Sequence, residues 1–299
     1  MTLSSRGMLY MLGAALMFSA SVGYVRYLSD LMSTFEIVFF RQVMGLVFML
    51  PWLMRVGMPA LRTRQLPKQC LRSGLSYLGM LASYTSFTLM PIADAVSLQF
   101  TTPLFTTVLA IIFLKEIVGL HRWSAIFFGF MGVLIIVRPG FEALTLGIPI
   151  ALCAALFYAG SNVTNRALSR TDSTAVIMFY GFILQIPLAA IPAAFAWVTP
   201  GWDALWPLLG FGVTGIVAQW CLTRSLAVAD ASLVEPVMFI RLPIVSAIGY
   251  VMFAEIPDQW VWVGAAVIFG STIVLARREA LHSKRQAALK GEPGPGGSG

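Results

Sequence analysis

Ten stretches of this chain are apolar for about the length of a bilayer crossing: 8–28, 34–54, 72–91, 93–114, 122–138, 146–166, 174–198, 205–226, 231–253 and 258–276. A helix needs roughly 20 predominantly apolar residues to pass the hydrocarbon. The apolar residues run continuously instead of alternating with polar ones, which favours helices over barrel strands. Of the 299 residues, 58% are hydrophobic and 11% charged, against about 25% charged in soluble domains. A water-soluble core of this size has no room for so much apolar surface. The sequence therefore predicts an all-α integral membrane protein with ten transmembrane helices. The first stretch leads into further spans with no small-residue cleavage site before the next charges, so it is expected to stay in the chain.

The formal net charge is +7, yet the placement of the cations argues against nucleic acid as a partner. Arg55, Arg62, Arg64, Lys68 and Arg72 lie between the second and third stretches, and Arg277, Arg278, Lys284, Arg285 and Lys290 follow the last. Assigning the connections alternately to two sides joins these to Arg6, Lys115, Arg122, Arg166, Arg170 and Arg224, on the side that also holds both ends. The other side keeps Arg26 and Arg138. The positive-inside rule places the basic side, and with it both termini, in the cytoplasm against anionic membrane lipid. Cys70, Cys153 and Cys221 share no ligand spacing, and His121 and His282 fall outside the spans. No metal, no cofactor and no histidine relay are expected. A monomer suffices for everything the sequence shows.

The chain repeats itself. "AALMFSASVGYVRYLS" from Ala14 matches "AALFYAGSNVTNRALS" from Ala154 at an offset of 140. "STFEIVFF" from Ser33 matches "STAVIMFY" from Ser173 at the same offset, and Pro103 matches Pro243. Glu116 pairs with Glu255 and Trp123 with Trp262 at 139. Residues 1–139 and 140–280 therefore read as two five-span repeats, with 281–299, ending "GEPGPGGSG", as a disordered cytoplasmic tail. Five is odd, so the second repeat must enter the bilayer from the opposite side. Inverted repeats of this kind are typical of secondary transporters, whose solute site lies near the midplane between the halves.

With those residues in view, the chain resembles the drug/metabolite transporter superfamily, EamA type, over about residues 8–278. The likeness rests on the doubled pattern of a small-residue first span, a fourth span with Pro103 or Pro243, an acidic end at Glu116 or Glu255, and a glycine-bearing fifth span (Gly129, Gly132; Gly264, Gly270). It is similar to bacterial amino acid and metabolite exporters, the aromatic amino acid exporters among them. Related groups import other metabolites. The resemblance implies a cavity lined by spans 1, 3, 4, 6, 8 and 9, with spans 2 and 7 gating it and 5 and 10 behind.

Polar residues deep in the spans are the candidate solute contacts, because each must find a partner or water. Ser21 marks the first span. Tyr77, Tyr84 and Thr88 share a face of the third, with Leu81 between them. Gln99, Thr101 and Thr102 surround Pro103 in the fourth; Tyr158, Ser161, Asn162 and Asn165 lie in the sixth; Gln219 and Trp220 in the eighth; Glu235, Met238 and Arg241 in the ninth. Amides that donate and accept suit a zwitterion or neutral polar solute, and rings and methionines adapt to apolar side chains. An amino acid, aromatic by preference, fits the set, moved outward by alternating access. Helix–helix glue is the competing reading for each amide or hydroxyl.

In "VEPVMFIRLP", Pro236 and Pro243 loosen the ninth span and free carbonyls. Glu235 either faces the cavity to read an amine or a proton, or snorkels at the cytoplasmic boundary. Arg241 pairs with a carbonyl, a carboxylate or an acidic solute group, or is structural. Either charge facing lipid would cost about 2.5–3.5 kcal/mol on insertion scales. Arg41 is expected to snorkel or pair with Glu36. Lys115, Glu116 and Glu255 are expected at the interfaces, capping or pairing, and Asp94 and Asp230 as N-caps of the helices that follow. A lipid-modifying membrane enzyme would need clustered His, Asp or Glu at one interface, which this chain lacks, and no phosphate-cradling GxxxxGK is present. A channel is compatible with inverted repeats and would differ from a carrier in showing no counterflow.

Overall fold

Two serines set 140 residues apart open helices in the same way. In the computed structural model, the Ser33 hydroxyl accepts from the Glu36 N–H at 3.3 Å and the Ser173 hydroxyl from the Val176 N–H at 3.4 Å. Glu36 completes a capping box, its carboxylate accepting from the Ser33 N–H at 2.9 Å. The structure describes residues 3–57, 61–114, 120–138, 145–169, 171–228, 234–271 and 273–274. Lys115, Glu116, Asp230, the 139/140 division and the tail lie outside the described residues, as do the side chains of Glu235 and Pro236.

The described chain forms helices α1 (Leu3–Leu28), α2 (Thr34–Val56), α3 (Leu66–Leu89), α4 (Ile92–Gln99), α5 (Thr102–Leu114), α6 (Leu120–Val137), α7 (Gly147–Leu168), α8 (Thr174–Phe195) and α9 (Trp202–Val228). A 3-10 segment, Glu235–Ile240, then leads into α10 (Arg241–Phe253), and α11 (Gln259–Ser271) follows. There are no strands among the described residues. Six helical stretches are long and apolar enough to cross a membrane: Ser5–Leu28, Thr34–Pro51, Ile92–Phe113, Gly147–Leu168, Thr174–Phe195 and Trp202–Ser225. Ile126–Val137, Val237–Phe253 and Gln259–Ser271 are apolar but shorter.

The expected fourth and ninth spans are each interrupted, and the prolines explain where. Pro103 has no N–H, and its ring excludes the carbonyl four residues earlier. The helix breaks at Phe100–Thr101. The freed carbonyls are taken up locally: Thr102 donates to Gln99 O at 2.8 Å and Thr101 to Leu98 O at 2.7 Å. Pro243 stands in the same relation to the junction at 240–241, where the 3-10 segment becomes α10. The two breaks face one another, with the Phe100 and Phe239 rings 5.7 Å apart and Phe269 stacked on Phe239 at 4.2 Å.

Helices pack across the two halves. α1 runs along α9, α3 along α7, α2 along α8, and α4 meets α10. Exchanging the halves turns α1–α9 into α7–α3, leaves α2–α8 unchanged, and turns the further pairing of α1 with α10 into that of α7 with α5. At the back, α6 and α11 cross at glycines. A Cβ on Gly132 would lie 2.8 Å from the Gly264 carbonyl oxygen, and one on Gly264 would lie 2.6 Å from that of Gly132. Only residues without a side chain allow the backbones this close.

Two local expectations are corrected here. Asp94 is not the N-cap of α4: Pro91 holds that position, and the capping carboxylate comes from far along the chain, with Glu255 Oε2 accepting from the Ile92 N–H at 2.8 Å. Arg41 does not pair with Glu36. That carboxylate, fully buried, accepts from Ser33 and from the Val198 N–H at 3.0 Å.

Candidate functional site

A hollow of about 470 Å³ lies between α1, α2, α3, the α4–α5 break, α7, α9 and α10. That volume falls in the range of small-molecule sites. On α3 the lining residues are Ser76, Met80, Ser83, Tyr84 and Phe87, a single helical stripe. The break contributes Gln99, Phe100 and Thr102; α7 contributes Tyr158 and Asn162. Ser83 accepts from Gln99 Nε2 at 2.6 Å and lines the hollow together with Tyr158.

A second pocket of about 560 Å³ shares Arg41, Ser76, Met80, Phe211 and Gly215 with the first. It reaches the ends of α7 and α9 and the start of α8, where Asn165, Ser169, Thr174, Gln219, Trp220 and Thr223 line it and are exposed. The hollow is therefore open at that end. At the other end Val22, Val25, Phe87 and Phe211 are buried, and Tyr84 lies against both rings at 6.2 and 6.1 Å. Beyond this plug sits a polar latch. Glu255 joins Arg26 Nε at 3.4 Å while capping α4 through Ile92. Arg26 also reaches Asp30 at 3.2 Å and lies over the Phe253 ring. Glu255 can turn back to this point because α10 ends on Ala254 in the left-handed conformation, φ 54°. The latch ties α1, α4 and α10 together.

Of the residues singled out in the sequence, Ser21, Tyr84, Gln99, Tyr158 and Asn162 line the central hollow, and Gln219 and Trp220 line its open end. Ser21 is also glue, sharing a 2.9 Å hydrogen bond with Thr214 of α9. Tyr77 does not line the hollow. It is buried in the apolar core with Met80, Phe87 and Phe211. Thr88, exposed, bonds its own helix at Thr85 O. The cavity face of α3 is centred one position away from the face expected, on Ser76 and Ser83. Met238 likewise packs into an apolar cluster with Met11, Ala14 and Cys221. Pro103 and Pro243 are exposed and shape the hollow only through the breaks they cause.

Arg41, expected to snorkel or pair with Glu36, and Arg241, expected to meet a carbonyl, a carboxylate or an acidic solute group or to be structural, both line the hollow. Arg41 lines both pockets, and its only described polar partner is the Met80 sulfur at 3.0 Å. Arg241 lines the central hollow, lies over the Phe18 ring at 5.7 Å, and has a buried Nε without a hydrogen-bond partner. No carboxylate lines either pocket among the described residues. The signal in sequence was present, since an arginine inside a span is a functional candidate by default. What was missing was the direction in which each pointed. No cluster of three metal-ligating side chains occurs among the described residues.

The model of the EamA-like transporter family matches this chain twice, over residues 5–138 and 145–277. A riboflavin transporter of Vibrio cholerae is 32% identical over 94% of this chain and 96% of its own length. An S-adenosylmethionine uptake transporter of Rickettsia felis is 27% identical, covering 88% and 90%. The pseudopaline exporter CntI of Pseudomonas aeruginosa is 28% identical, covering 91% and 96%. A solved crystal structure superposes with a TM-score of 0.64 at 17% identity, covering 92% of this chain and 98% of its own, which is agreement in fold.

Proposed function

Because the chain belongs to the EamA-like transporter family, and is therefore a multi-pass bacterial membrane transporter, we propose that it carries a ring-bearing metabolite of riboflavin's kind by alternating access. In this reading ten spans form two inverted repeats, residues 1–139 and 140–280, with both termini cytoplasmic. The open end of the hollow then faces the cytoplasm, and the Arg26–Glu255 latch closes the outer side. The exchange symmetry of the helix pairings and the matched breaks near Pro103 and Pro243 support the inverted arrangement.

The observation that carries the reading is the hollow, polar at Gln99, Ser83, Tyr158 and Asn162, ringed by Phe18, Tyr84, Phe87, Phe100 and Phe211, and continuous with a pocket that opens at the ends of α7 and α9. Those ring faces suit a planar solute. The lining gives less support to an amino acid, whose ammonium would meet two guanidiniums and no described carboxylate. The same charge argument disfavours a cationic solute such as S-adenosylmethionine. Uptake fits the relative named for it, and a facilitated carrier, with direction set by the gradient, accommodates an exporting relative as well. Purified protein in proteoliposomes preloaded with riboflavin should accelerate entry of labelled riboflavin. Absence of trans-stimulation would remove the carrier mechanism. Preferential counterflow of phenylalanine or tryptophan would restore aromatic amino acid transport as the function.

A further inference from the structure

We propose that Arg41 and Arg241 form an oxyanion subsite of the central hollow, so that the preferred solute is a ring system bearing a carboxylate or phosphate. This rests on the reading of the hollow as the solute site. The two guanidiniums come from α2 and α10, one from each half of the chain, and line the same cavity. Tyr84 and Tyr158 line the same hollow.

The fold does not require either charge. At the offset of 140, Arg41 corresponds to Gly181 and Arg241 to Thr101. Each half therefore builds the same element with an uncharged residue at the equivalent place. Charges inside a membrane are costly unless paired or facing water, and they mark solute paths. Other charged groups at depth have an oxygen or nitrogen partner: Glu36 has Ser33 and Val198, Glu255 has Arg26 and Ile92, Arg138 has Asp258, and Arg72 has the Ile177 carbonyl. Arg41 has a thioether, and Arg241 has an aromatic face and an unpartnered Nε. Two like charges facing one hollow repel, and an oxyanion between them would neutralise both. Guanidinium is the side chain whose planar fork matches carboxylate and phosphate. Arg72, lining the open end, adds a third positive charge along the entry path. The aromatic residues Phe18, Phe87, Phe100 and Phe211 are left to hold the ring.

The test uses matched pairs on the full-length protein: riboflavin against riboflavin 5′-phosphate, and indole-3-acetamide against indole-3-acetate. Equilibrium binding is measured on detergent-purified protein, and counterflow separately in proteoliposomes. The charged member of at least one pair should bind about tenfold more tightly than the neutral one, as expected for charge-assisted bonds. The pair that shows it distinguishes phosphate from carboxylate. Arg41→Gln and Arg241→Gln should each bring the ratio close to one, Arg→Lys should keep part of it, and Arg64→Gln, exposed before α3, should leave it as in the native chain. Equal binding of charged and neutral members in both pairs would overturn the subsite. So would glutamine variants that stay monodisperse and keep the native ratio. Charge-selective binding without counterflow would retain the subsite and remove the carrier; counterflow without charge selectivity would do the reverse.

Discussion

Replacing Glu255 should unlatch the closed end of the hollow. Its carboxylate accepts from the Ile92 N–H at 2.8 Å and reaches Arg26 Nε at 3.4 Å. A hydrogen bond to a charged group contributes about 1.5–3 kcal/mol, and a helix N-terminus favours that charge. The Arg26 contact is long and partly solvated, with side chains 24% and 15% exposed, so it adds about 0.2–1 kcal/mol. Glu255→Ala removes both and should shift the equilibrium between outward-closed and outward-open states by roughly 2–4 kcal/mol, or about 30- to 800-fold. Glu255→Gln keeps a neutral acceptor for Ile92 and should shift it by roughly 1–2 kcal/mol, about 5- to 30-fold. The assay is a single cysteine at the buried cavity position Val22, in a background lacking Cys70, Cys153 and Cys221. A membrane-impermeant maleimide applied from outside right-side-out cells should label native, Gln and Ala proteins at increasing rates. Equal labelling of all three, with folding confirmed by size exclusion, would show that the latch does not hold the outer end shut.

Other substitutions probe the scaffold. Gly264→Ala places a methyl against the Gly132 carbonyl and should cost about 1–3 kcal/mol as overpacking, visible as a Tm several degrees lower in detergent; an unchanged Tm would mean that α6 and α11 do not cross there. Gln185→Leu removes the 2.9 Å bond from Gln42 Nε2 between α2 and α8, an interaction worth about 0.6–2 kcal/mol in membrane bundles; thermal denaturation should report the loss, and a more stable variant would contradict it. Ser33→Ala should cost about 1 kcal/mol, and Ser173→Ala less, since Val176 completes no capping box; the reverse order of Tm values would count against the caps as described.

Local chemistry was legible in the sequence where the cause is local. The caps at Ser33 and Ser173 lie in "STFE" and "STAV", stretches that in the sequence serve only as evidence of the repeat. The interruptions at 100–101 and 240–241 follow from Pro103 and Pro243, because a missing N–H acts within one turn. Glu255 was expected to cap or pair at an interface, but its partner was not legible, since Ile92 and Arg26 lie 163 and 229 residues away in the chain. Tyr77 illustrates a subtler failure. In a soluble helix an apolar stripe shows which face is inside. In a bilayer, lipid and protein core are equally apolar, so that contrast fades and the face toward a cavity can be misread by one residue.

By itself, then, the sequence determined the apolar stretches, the doubled register and its matched interruptions, and the family that pattern resembles. Only the tertiary structure decided that Arg41 and Arg241 enter one hollow with Tyr84 and Tyr158, while Met238 turns away from it. The reason is rotational: about 100° separates neighbouring residues on a helix, and the angle at which each helix settles is fixed by partners in the other half of the chain.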